Sequence, residues 1–235
     1  MHKRFFFLTL AALSFAPLCA QDEPLWMRSC AISPEGNAVA FSYMGDIYRV
    51  DVGGGKALQL TSNPSHDTSP VWSPDGRQIA FASDREGGMD VYVMPSGGGE
   101  YRRLTTHSSA EYPMAWLDAS TVVLRRAGNP TVNNLAFPSG TFYQLYSVSE
   151  QGGRQKLFSE LTLDDLSIAS DGKLLYIDVK GYEDKWRKHH TSSITRDVWM
   201  MADGTYTRLT DFKGEDRNPV WAPDGKSFYY LSEKD

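Results

Sequence analysis

The 235 residues carry 24 Lys+Arg against 29 Asp+Glu, a formal net charge of −5, and 41% hydrophobic residues with only two cysteines. A chain of that length buries a core without disulfide staples, and two cysteines allow one bridge at most. With 12% aromatics, 20 glycines, 12 prolines and no lysine-arginine stripe, the composition predicts a globular, turn-rich β protein and excludes a disordered tail, a coiled coil and a nucleic-acid-binding surface.

In chain order the first element is an address. Lys3 and Arg4 precede an uncharged apolar run from Phe5 to Ala16, and Pro17 to Ala20 end on a small residue ahead of Gln21, Asp22 and Glu23. Basic, apolar and small segments in that order predict a secretory signal peptide over 1–20, cleaved after Ala20. The apolar run is shorter than the roughly 20 residues that span a bilayer. The mature chain is therefore expected to be exported, periplasmic and without a transmembrane segment. Cys19 follows Leu18, whereas an acylated cysteine follows a small residue. Cys30, beside Ala31 and Ile32, reads as a small core residue rather than a reactive thiol.

From 21 onward one unit repeats. An aromatic or aliphatic residue, a short Ser-Pro-Asp-Gly-like turn and an apolar strand recur from Ile32, Trp72, Ile168 and Trp221, and a version without Pro-Asp-Gly starts at Trp116. The starts are 40 to 53 residues apart, about the period of a propeller blade. Proline presets the first central position of a type I turn and glycine takes the positive φ that leads into the next strand. Gly36, Gly76, Gly172 and Gly225 are therefore predicted in left-handed conformations, and Val39 with Phe41, or Ile79 with Phe81, on one strand face. Each unit has a second half, strand, glycine-rich turn, strand: Asp46 to Thr61, Asp90 to Thr105, Phe142 to Phe158 and Asp197 to Thr210. Two hairpins per repeat make a four-stranded blade. A β-sandwich also has evenly spaced strands, but it does not require one turn motif at the same point of every unit.

The predicted fold is all-β: a β-propeller of four-stranded antiparallel blades over 21–235, with blades at roughly 25–61, 66–105, 111–158 and 164–210 and a half-blade at 216–235. About four and a half blades do not close. The two ends duplicate the same hairpin, so the expectation is an incomplete six-bladed ring whose remainder comes from chain beyond Asp235 or from a partner, a second copy of the chain among them.

The Ser-Pro-Asp-Gly units, together with Ser83-Asp84-Arg85 and Asp90 to Val93, resemble the TolB-type propeller repeat. Pro24 to Arg28, Asn133 to Gly140 and Gly181 to Trp199 narrow that resemblance to the N-terminal propeller of bacterial tricorn-like serine proteases. The resemblance implies an exported serine peptidase whose PDZ and catalytic domains lie outside this chain, with this propeller gating or guiding peptides or unfolded segments. It implies no catalytic residue here. In archaeal members a pair of arginines holds the substrate's C-terminus. The comparable loop, Thr106 to Tyr112, has no arginine, and Arg125 and Arg126 at a strand end are not equated with that pair. Two other readings remain: a stand-alone TolB-like adaptor binding a protein partner, and the propeller of a prolyl-oligopeptidase-type enzyme.

The chain offers little chemistry of its own. It has no Gly-x-Ser-x-Gly elbow, and Ser170 to Lys173 matches Ser-x-x-Lys only because it is the repeat's turn. Adjacent His189 and His190 point to opposite faces of a strand, so no metal site and no cofactor is assigned. The segment 181–196 breaks the strand rhythm with Trp186, Arg187, Lys188, His189, His190 and Arg196. These six are the candidate peptide-binding residues, because arginine pairs with carboxylates in bidentate fashion; the alternative is a solvated loop with local ion pairs. A second insertion, Ala127 to Thr141, lines a pore mouth or covers a blade edge.

Overall fold

The computed structural model describes residues 26–127, 143–159, 161–179, 194–222 and 224–234. Among them are four antiparallel four-stranded sheets, one two-stranded sheet and no helix. The first sheet is β1 (Arg28–Ile32), β2 (Ala38–Tyr43), β3 (Asp46–Asp51) and β4 (Leu58–Gln59). The second is β5 (Asp67–Trp72), β6 (Gln78–Ser83), β7 (Asp90–Pro95) and β8 (Arg102–Arg103). The third is β9 (Glu111–Asp118), β10 (Thr121–Ala127), β11 (Tyr143–Ser149) and β12 (Lys156–Ser159). The fourth is β13 (Leu163–Ile168), β14 (Leu174–Asp178), β15 (Val198–Ala202) and β16 (Thr205–Arg208), and β17 (Asp216–Trp221) with β18 (Phe228–Ser232) makes the half-blade. The fold is a propeller of successive blades, as the repeat predicts.

The turn chemistry works as the signature requires. Gly36, Gly76, Gly172 and Gly225 have φ of 71°, 68°, 85° and 61°, and each donates its N–H to the carbonyl three residues back, Gly76 to Ser73 at 2.9 Å. The serine of the motif adds a second clasp: Ser73 Oγ accepts from the Gln78 N–H at 2.9 Å and donates to Asp75 at 2.6 Å. Where Pro-Asp-Gly is lost, Asp118 substitutes by accepting from the Ser120 N–H and hydroxyl, both at 2.8 Å.

These turn carboxylates are tuned by the bonds they accept. Asp75 lies below the ordinary carboxylate range, chiefly through the Ser73 hydroxyl, and Asp118 likewise, chiefly through the Ser120 N–H. A depressed native pKa gives stability that is present above the unfolded-state value and is lost as pH falls through the native one. Denaturant midpoints of the Asp75→Asn variant should therefore approach those of the parent between pH 4 and pH 2.5, on the order of the usual carboxylate range. A constant gap over that range would refute the assignment.

Blades pack face to face, so strands are buried on both sides. On β6, Ile79 and Phe81 join Ala40 and Ile47 of the first blade, while Ala80 joins Trp116, Val122 and Leu124 of the third. Two of the three tryptophans that open the signature bond across blades: Trp72 Nε1 donates to the Ala31 carbonyl at 3.0 Å and Trp116 Nε1 to the Val71 carbonyl at 3.2 Å, whereas Trp221 Nε1 is buried without such a partner. The Leu-Thr that ends three blades is also structural. Thr61, Thr105 and Thr210 each accept a backbone N–H, from Ile47, Val91 and Val198, at 2.9 Å.

Two features were not foreseen. The first strand of four units carries a bulge with a left-handed polar residue: Ser29, Ser69, Asp165 and Asn218, at φ of 51°, 55°, 50° and 52°. Short polar side chains tolerate that region by local hydrogen bonding. In the third blade the same place holds Pro113, whose ring forbids it. Second, Cys30 is exposed, which corrects the core assignment. Its strand, β1, has no blade packed on its outer side among the described residues, and only one of its five residues is even partly buried.

Candidate functional site

The connections divide between the two ends of the propeller. The Pro-Asp-Gly and glycine-rich turns lie at one end; the links from second to third strand, and from one blade to the next, lie at the other. That second end is short in the first two blades, where β2 and β3 are joined through Met44 and Gly45 alone and β6 and β7 through Asp84 to Met89. In the third and fourth blades it carries both long insertions, from Ala127 to Tyr143 and from Asp178 to Val198. The strand ends from which both insertions depart belong to consecutive blades, and this rim is the candidate site.

The rim rests on buried ion pairs, most of them within a blade and two of them, Arg125–Asp164 and Arg196–Glu215, between neighbouring blades. Asp67 opens β5 and is fully buried; Arg85 bonds both its carboxylate oxygens at 3.0 Å. The Arg85 guanidinium is also within 5.2, 4.6 and 3.8 Å of the Phe81, Tyr92 and Tyr101 rings. At the next joint Glu111 opens β9, equally buried. It accepts from Gln155 Nε2 at 2.6 Å, and Arg126 lies 3.8 Å away while also meeting His107 Nε2 at 2.9 Å. Asp90, at the head of β7, is bound by Arg103 at 2.6 Å. Burial, with Glu111 nearby, still holds its pKa above the ordinary range. At the last joint Arg196 bonds Glu215 at 3.1 Å and Arg208 bonds Asp197 at 2.8 Å.

The arginines nearest the rim's foundation are therefore committed to buried carboxylates. Arg125 pairs with Asp164 of the neighbouring blade at 2.9 Å and stacks over Tyr112 and Tyr143 at 5.4 and 5.1 Å. That stack stands where the first insertion leaves and re-enters the sheet. Arg126 reaches into the 106–112 loop through His107, a contact that adjacency in sequence does not reveal.

Of the six candidate residues, Trp186, Arg187, Lys188, His189 and His190 lie outside the described residues, as does most of the Ala127 to Thr141 insertion. Arg196 is described: it is 7% exposed and turned inward onto Glu215. It lies two residues before β15, where the chain re-enters the fourth sheet. Among the described residues no group of three or more His, Cys, Asp or Glu is placed to hold a metal ion. The joints themselves went unread in the sequence. The signal for them was an acidic residue five positions before each Trp72, Trp116 and Trp221, at Asp67, Glu111 and Asp216.

Comparison with known proteins agrees with this architecture. Residues 24–235 match the family model of the tricorn protease N-terminal β-propeller domain. Tricorn protease homolog 1 of Streptomyces coelicolor is 26% identical over 83% of the chain and 18% of its own length, and the uncharacterized peptidase YuxL of Bacillus subtilis is 26% identical over 88% and 28%. The chain thus spans less than a third of these relatives. Among solved structures, a putative TolB from Agrobacterium tumefaciens superposes with a TM-score of 0.66 at 19% identity, over 88% of this chain and 70% of that one. The tricorn protease superposes with 0.65 at 18% identity, over 90% and 22%. With matched blades and a family model running from the first strand to the last, the chain belongs to the tricorn protease N-terminal β-propeller family.

Proposed function

We propose that this propeller handles substrate for an exported tricorn-like serine peptidase, binding or gating peptides and cutting none. In this reading residues 1–20 are its export signal, and the PDZ and catalytic domains belong to a longer protein. The observation that supports it most is that both long insertions depart from the same end of adjacent blades, where the strand ends are held by buried ion pairs. Rigid sheets that present long loops at one end are the usual support for a binding surface. The contact set is Trp186, Arg187, Lys188, His189 and His190, with Arg196 anchoring the far end of the segment through Glu215. Cations and aromatic rings in that segment suit a peptide carboxylate.

The test is direct titration of the purified chain with short peptides bearing a free C-terminal carboxylate. Arg187→Ala with Lys188→Ala is expected to weaken binding about ten-fold and to flatten its salt dependence, since charge-assisted bonds of this kind contribute about 1.5–3 kcal/mol. C-terminally amidated peptides should bind both forms equally weakly. Identical affinity of parent and variant for the free-acid peptide would remove the contact set. The match to a Bacillus peptidase supports a second reading, the propeller of a different class of peptidase; loss of the carboxylate dependence alone would favour it.

A further inference from the structure

The first two links between blades are built to one plan. Thr61 and Thr105 close the first and second blades, and the buried acids Asp67 and Glu111 open the blades that follow. Between them, at matching places, stand Asn63 and Ser65 in the first link and His107 and Ser109 in the second. Asn63 Oδ1 accepts the Ser65 N–H at 2.9 Å, and His107 Nδ1 accepts the Ser109 N–H at 3.0 Å. An imidazole thus occupies the place of an amide, in the same turn.

The two side chains differ in what they can offer. Asn63 keeps a separate donor for the acid below it, Nδ2 to Asp67 Oδ2 at 3.3 Å; it accepts and donates through different atoms at any pH. His107 has its second nitrogen, Nε2, 2.9 Å from Arg126 Nη1. A guanidinium and a backbone N–H are both obligate donors, and a neutral imidazole has a single lone-pair nitrogen to give them. Either tautomer satisfies one donor. The imidazolium satisfies neither, and it sets a second cation beside Arg126. The turn and the proton therefore exclude each other.

The other charges around His107 do not reverse this. Glu111, at the head of β9, faces the His107 N–H with Oε2 at 3.4 Å, and its Oε1 is taken by Gln155 at 2.6 Å. Asp90, at the head of β7, is bound by Arg103 of β8 at 2.6 Å and is held above the ordinary carboxylate range by burial, with Glu111 adding to it. A proton on Asp90 would relieve its repulsion from Glu111 and tighten the joint, an effect of opposite sign to a proton on His107.

We propose that His107 is an acid-operated latch on the link between the second and third blades: the neutral ring holds the Ser109 turn against Arg126, and the imidazolium lets both go. The first link, held by Asn63, stays closed. The released segment runs directly into Glu111 and β9, and β9 is paired with β10, from whose end the first insertion departs. A proton thus loosens the rim at one joint, over the pH span in which histidine changes charge. This inference is independent of the peptide-binding reading of the rim.

The test is amide hydrogen exchange of the purified chain at about pH 8 and pH 5, with each rate referred to that of the unstructured peptide at the same pH. Protection of the Ser109 amide is expected to fall about ten-fold on acidification, while that of Ser65 changes less than about two-fold. His107→Asn copies Asn63 and should keep Ser109 protected at both pH values. His107→Lys carries its cation throughout and should leave Ser109 as weakly protected at the higher pH as the parent is at the lower. Protection of Phe81, in the core of β6, shows that each variant is folded. Three results would overturn the proposal: no loss of Ser109 protection in the parent, full protection in His107→Lys at the higher pH, or equal loss in parent and His107→Asn. The last would assign the response to Asp90 and Glu111.

Discussion

Replacing Asp67 by alanine is expected to destabilise the chain by about 3–5 kcal/mol, the usual cost of stranding one member of a buried pair. The guanidinium of Arg85 would then lie among Phe81, Tyr92 and Tyr101 with no counter-charge, under a surface that leaves its side chain 6% exposed. The companion variant separates charge from packing. Arg85→Met fills similar volume and removes the cation, so the double variant Asp67→Ala with Arg85→Met should lose less than Asp67→Ala alone. Guanidinium unfolding of the parent, both single variants and the double variant gives the coupling directly. A loss below about 1 kcal/mol for Asp67→Ala would mean that the pair is a surface contact in energetic terms.

The other large effect belongs to Trp116. Its ring is 4% exposed and packs with Ala80, Val91 and Leu124 across the joint between the second and third blades. Trp116→Ala should cost about 3–5 kcal/mol, the range for emptying a buried aromatic site. Trp116→Phe keeps most of the apolar contact but deprives the Val71 carbonyl of its donor, so its cost should fall near 1 kcal/mol. If the two variants unfold at the same denaturant concentration, the hydrogen bond rather than the ring holds the joint.

Legibility of the fold followed the locality of its causes. The hairpins could be read because proline and glycine restrict the backbone within four residues, and Gly76 needs no distant partner to adopt its φ of 68°. Trp72 and Trp116 were read only as the start of a motif. Their acceptors are carbonyls 41 and 45 residues earlier, and nothing in the residue type Ala31 or Val71 marks its carbonyl. Cys30 was misjudged for a related reason: local apolarity predicts burial, but burial in a propeller is conferred by the neighbouring blade. At the candidate site, the sequence drew attention to the cations of 181–196, yet Arg196 meets Glu215 at a separation of 19 residues and serves the scaffold. Composition names the charges of a segment; only the register of the joints says which of them are already neutralised.

The tryptophan bonds and the acid–arginine pairs share one property with a wider consequence. Every one of them links a blade to itself or to the next, and none skips a neighbour. Energetically the array therefore behaves as a string of couplings between successive units. The effect of an injury at one joint should therefore fade with each blade that separates it from the point where it is read, so damage beside β17 should scarcely be felt between β1 and β5.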